Sequence, residues 1–176
     1  MLFTEDSLWA MVHGIALGGA ALMALAAALF ALSALRAQNP GIARDHASQS
    51  LARLTVFTAA VLWLTVLVGT YVVFPPYRAA PPESAIDLSQ YPRSFLLANP
   101  DTAWLHAFAM ESKEHMPWIA SMLATAVAFV SVRYRSGLLR DTQLRTMAMA
   151  LLGICFALVA FVGLMGVLID KVAPLR

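Results

Sequence analysis

The chain is expected to be an all-α membrane protein, a four-transmembrane-helix up-down bundle with both termini outside. Three observations lead there: a composition too apolar for a soluble domain, four long charge-free runs, and basic residues gathered at one end of those runs.

Of 176 residues, 60% are hydrophobic and 12% charged, with a mean hydropathy of +0.72. Soluble domains carry about 25% charged residues. Half that density means most of the surface does not meet water. The length fits a single membrane domain, 1–176. The lone cysteine, Cys155, excludes an internal disulfide, a CxxC redox pair and a CxxCH haem attachment.

The charge-free runs extend from Ser7 to Leu35, Leu54 to Tyr77, His115 to Val132 and Thr146 to Ile169. A helix needs roughly 20 apolar residues to cross a hydrocarbon core of about 30 Å. The first, second and fourth runs suffice; the third requires helix to continue upstream of His115. The predicted spans are therefore about 7–35, 54–77, 102–133 and 146–169. The first is expected to be a true span rather than a signal peptide. Its leader, Met1 to Asp6, is acidic where a signal n-region is basic, and its apolar run is too long.

Charge sets the expected orientation. The two short linkers hold Arg36, Arg44, Arg53, Arg133, Arg135, Arg140 and Arg145 against Asp45 and Asp141. The opposite face holds eight acidic residues, Glu5, Asp6, Glu83, Asp87, Asp101, Glu111, Glu114 and Asp170, against five basic ones, Arg78, Arg93, Lys113, Lys171 and Arg176. The Lys/Arg excess marks the cytoplasmic side. In a bacterium this is a multi-pass protein of the inner membrane, with the termini and long middle loop outside. Short linkers pair helix 1 with 2 and helix 3 with 4 antiparallel. Loop 78–101 carries Pro81, Pro82, Pro92 and Pro100, just after Pro75 and Pro76. It is expected to avoid regular helix and to form an ordered cap, with Phe74, Tyr77, Tyr91 and Phe95 supplying apolar area.

Counting inward from the cytoplasmic boundaries, the polar groups gather at one outer level: His13, Tyr71, Tyr77, Arg78, Glu111, Lys113, Glu114, His115, Asp170 and Lys171. The midplane is nearly all apolar. A channel or pump needs ionisable or carbonyl groups deep in the membrane, so a primary conduit is excluded for this subunit alone. Nothing supports nucleic-acid binding.

Two or three histidines are the candidate ligands. His13 is one turn inside helix 1, followed by Gly14 and Gly18, which would clear space for a flat group. His115 on helix 3 stands at matching depth, on one helical face with Glu111 and Trp118. His106 is the spare; nine residues from His115, it lies about 180° around an unbroken helix. Histidines at one depth on two helices hold b-type haem in membrane bundles. Two alternatives stand beside this, and Tyr71 and Arg78 admit two readings of their own. The histidines could be headgroup contacts or satisfied polar groups, bonded to a carboxylate such as Glu111. Glu111, His115 and His13 could hold a non-haem metal. Tyr71 and Arg78 are either interfacial anchors or contacts to quinone and haem propionate.

The four spans, the W-x-x-x-H-G sequence at Trp9 to Gly14, and His115 at the same level resemble four-helix membrane cytochrome b subunits of respiratory complexes. Di-haem members have four histidines in two layers; here only the outer layer exists. The resemblance implies an electron-transfer subunit holding one haem b near the periplasmic face between helices 1 and 3, with quinone as a second candidate cofactor. Its partners would be the lipid bilayer, other membrane subunits, or a periplasmic electron-transfer protein. The competing readings are a cofactor-free structural or assembly subunit and a metal-dependent membrane enzyme.

Overall fold

A computed structural model describes residues 4–35 and 42–175; Met1, Leu2, Phe3, Arg36 and Arg176 of the charge and leader arguments lie outside the described residues. The described residues are mostly helical and contain no strand. Four helices are long and apolar enough to cross a membrane: α1 (Glu5–Ala34), α2 (Arg44–Arg78), α4 (Pro100–Arg133) and α6 (Thr142–Val172). Two short helices join them, α3 (Pro92–Leu97) and α5 (Arg135–Arg140). The bundle packs α1 against α2 and α6, and α4 against α2 and α6.

Each span is longer than its charge-free run. Hydropathy ends where charge begins, but the helix does not. α2 starts ten residues before Leu54, because Arg44, Asp45 and Arg53 interrupt an apolar run without breaking a backbone ladder. Caps set the real ends. Thr4 and Ser7 form a reciprocal capping box at the start of α1. Asp141 accepts from the backbone N–H groups of Gln143 and Leu144 at 2.8 and 3.2 Å, so α6 begins at Thr142.

The expectation that proline keeps 78–101 free of helix is corrected. Pro92 and Pro100 each open a helix, at a position whose N–H would have no intrahelical partner. The segment is an ordered cap all the same. Leu96 is wholly buried and packs with Tyr77, Leu105, Met110, Met165 and Ile169 at the end of the bundle. Among the four expected cap aromatics, Tyr77 is buried and Phe95 is exposed.

The main core runs along the opposite two-thirds of the bundle. Ala21, Leu25, Ala28 and Leu32 of α1 meet Ala59 and Leu62 of α2, Ala120, Ala124 and Val127 of α4, and Leu152 and Cys155 of α6. Small residues on α1 and α4 let the backbones approach, which is how membrane helices gain packing energy without a hydrophobic drive. Two buried or half-buried arginines close the basic end. Arg145 donates to the Leu138 carbonyl at 2.9 Å and to Thr142 Oγ1 at 3.2 Å; Arg44 donates to the Leu139 carbonyl. Both satisfy carbonyls of the short helix α5, tying α2 and α6 to it.

Periodicity did not reveal one feature. Three of the long helices contain a π turn: Val12–Leu17 in α1, Gly69–Val73 in α2 and Leu105–Met110 in α4. The i→i+5 bonds are explicit: Gly18 N–H to the His13 carbonyl, Phe74 N–H to Gly69, and Glu111 N–H to His106. All three lie toward the capped end. π turns occur mostly as single insertions at functional sites.

Candidate functional site

The π turns surround a polar layer that joins all four long helices. His13 on α1 points at Gly69 on α2. A Cβ built on Gly69 would stand 2.6 Å from His13 Cε1 and 3.1 Å from Nε2, so only glycine admits the ring. The Thr65 backbone, one turn earlier on α2, also interacts with the ring. The Nδ1 atom is buried without a hydrogen-bond partner. An unpaired buried nitrogen is costly and calls for a water or a ligand.

Lys113 on α4 repeats the arrangement against α6. Its Nζ lies over Gly166, 2.9 Å from where a Cβ would be. Asp170, one turn further along α6, attracts it, and its charge reaches His13. Lys113 and His13 thus share a feature: each is seated on a glycine of the neighbouring helix. An ionisable side chain inside a membrane bundle is a functional-site candidate by default.

A second polar group lies under the cap. Tyr77 Oη and His106 Nδ1 share a hydrogen bond of 3.0 Å. Arg93 of α3, Glu111, Glu114 and Arg78 all act electrostatically on this pair. Arg78 itself is exposed, with its guanidinium 5.2 Å from the Phe74 ring centroid, a cation–π contact.

The three candidate histidines therefore go to three different partners: His13 to Gly69, His106 to Tyr77, and His115 to its own helix. The His115 Nδ1–H donates to the Glu111 carbonyl at 2.8 Å, and the ring is exposed. The 180° separation of His106 and His115 is also corrected. The π turn takes up an extra residue, which rotates the two positions toward each other by up to about 100°. Pro117, further along α4, lies within regular helix.

The glycines near His13 differ in what surrounds them. A Cβ on Gly14 would meet nothing within 4 Å, and one on Gly18 would meet only the His13 carbonyl of its own helix. Gly69 makes the room beside His13. Trp118 packs edge-on against Trp63, with centroids 5.7 Å apart, while Trp63 Nε1 donates to Thr125 Oγ1; it serves the α2–α4 contact. Tyr71 is exposed, as an interfacial anchor would be. Glu111, His115 and His13 do not assemble: no group of three or more His, Cys, Asp or Glu among the described residues is placed to hold a metal ion.

Sequence reasoning put Lys113 and Asp170 on one level with His13 but gave them no role, and it missed the part played by Gly69 and Gly166. The available signal was a glycine on α2 and on α6 at the depth of a histidine and a lysine. Comparison with known proteins adds no relative: no protein-family model, curated protein or solved structure matches the chain.

Proposed function

We propose that this chain is a four-span subunit of a larger complex in the bacterial inner membrane, an up-down bundle with both termini and the cap outside. Its outer polar layer serves as a structural lock and a partner-facing surface, and no haem sits between α1 and α4. The observation that carries this reading is the separation of the histidines. His13 is closed into α2 and His115 faces away from the bundle, so the pair does not fit a haem shared between the two helices. The layer instead links α1 to α2 and α4 to α6 through a polar group over a glycine. The positive-inside rule supplies the orientation.

One observation favours a second reading, an electron-transfer subunit with haem b. The bond from His115 Nδ1 to a backbone carbonyl fixes the tautomer and leaves Nε2 bare on an exposed face. That is how histidine ligands are commonly oriented. In that case His115 would hold the group at the chain's surface, against a partner that supplies the other side, and quinone would be a neighbouring ligand.

Both readings are tested by purifying the chain from its own membranes in a mild detergent and recording its native mass and visible spectrum together. The first predicts a defined assembly with another chain and no Soret band assigned to this one. A Soret band lost in His115→Ala and kept in His13→Ala supports the second. A Soret band lost in both variants would restore a haem between α1 and α4 and overturn the first. A monomer without colour would overturn both.

A further inference from the structure

The described surface carries a groove between α2 and α4 at the basic end, of about 440 Å³, lined by Gln49, Ala52, Arg53, Val56, Phe57 and Val132. It is an open surface groove rather than an enclosed cavity. Its walls are apolar and uncovered; Val56, Phe57 and Val132 are each about half exposed or more. Its polar groups are at one end, where Arg53 is the last charge before the apolar run from Leu54. The groove thus has an apolar wall, with Arg53 and Gln49 on the same face of α2.

We propose that this groove seats one anionic phospholipid of the bilayer, with an acyl chain along Val56, Phe57 and Val132 and the phosphate on Arg53 beside Gln49. Charge complementarity selects the headgroup. Arg53 is free for it: no hydrogen bond or ion pair engages it among the described residues. Three other arginines at this end are engaged, Arg44 and Arg145 by carbonyls and Arg133 by the Tyr134 ring, while Arg135 and Arg140 are exposed but do not line the groove. Basic pockets between transmembrane helices recognise lipid headgroups in this way. The wall selects an acyl chain over a partner helix. Close helix contact needs a row of small residues, and this groove offers one alanine among Val and Phe side chains. The groove is continuous with the apolar surface of two membrane-spanning helices, so lipid reaches it from the side.

Native mass spectrometry of the full chain in detergent, titrated with phosphatidylglycerol or phosphatidylcholine, tests the assignment. The wild type is expected to hold one phosphatidylglycerol in preference to phosphatidylcholine. Arg53→Gln, at an exposed position, should lower that preference roughly fivefold, from about 1 kcal/mol per basic residue at a membrane surface. Val56→Trp should fill the groove and reduce binding of both lipids, while Arg140→Gln leaves binding unchanged. Equal retention of the two lipids by the wild type would overturn the proposal. So would an Arg53→Gln preference equal to wild type, or a photo-crosslinker at Val56 that captures a protein chain in the membrane rather than lipid. Only the leaflet rests on the orientation proposed above; lipid binding in detergent does not depend on it, so the two ideas fail separately.

Discussion

Gly69→Ala should destabilise the bundle by about 1–3 kcal/mol, although alanine ordinarily improves a helix by up to about 1 kcal/mol over glycine. The added methyl would lie 2.6 Å from His13 Cε1, a distance that side chains do not tolerate. The ring cannot swing away without opening the α1–α2 contact. Gly166→Ala should cost less, since its methyl meets the end of a flexible lysine at 2.9 Å. Gly14→Ala should be neutral or stabilising, because nothing lies within 4 Å. Thermal unfolding followed by far-UV circular dichroism in one detergent ranks the three. The double change His13→Ala with Gly69→Ala should recover much of the loss, since the clashing partner is gone. If Gly69→Ala matches the wild type, or His13→Ala rescues nothing, His13 is not seated on α2.

Arg145→Met should lower stability by about 2–3 kcal/mol, because two charge-assisted bonds go and the Leu138 carbonyl loses its donor. Methionine keeps an apolar stem of similar reach, so the loss reports the guanidinium rather than a void. Arg145 is 6% exposed, and no other side chain donates to the Leu138 carbonyl among the described residues. Arg135→Met is the control. It is fully outside the core, and an exposed change of this kind stays within about 0.5 kcal/mol. Equal melting curves for the two variants would mean that the α5 carbonyls are satisfied without Arg145.

The spans were legible because membrane helices announce themselves by length and by lack of charge. Their ends were not. Arg44 to Arg53 is helical yet charged, and the Thr4, Asn99 and Asp141 caps would have marked three of the four starts. Proline was legible as punctuation but misread in direction: Pro92 and Pro100 start helices. The π turns leave no compositional trace, and they rotated the face on which each histidine was expected. For this reason the sequence could place His13, Lys113 and His115 on one level, but not the neighbours of each. Depth follows from counting residues; azimuth depends on every hydrogen bond before it. Gly69 shows the same limit. A glycine in a span is visible, but the His13 ring that needs it sits 56 positions earlier in the chain, on another helix.

The central claim is that the chain crosses the membrane four times with its histidine and lysine layer at the outer face. Cysteine accessibility tests it most directly. The native Cys155 is buried, so a wild-type background is low. Ser84 in the cap and Ser136 in α5 are both exposed, and one span, α4, separates them. In intact cells a membrane-impermeant maleimide should label Ser84→Cys and spare Ser136→Cys, which should react only after the membrane is permeabilised. The reverse pattern would place the polar layer at the cytoplasmic face. Labelling of both sites in intact cells would mean that α4 does not cross, and the four-span account would fall.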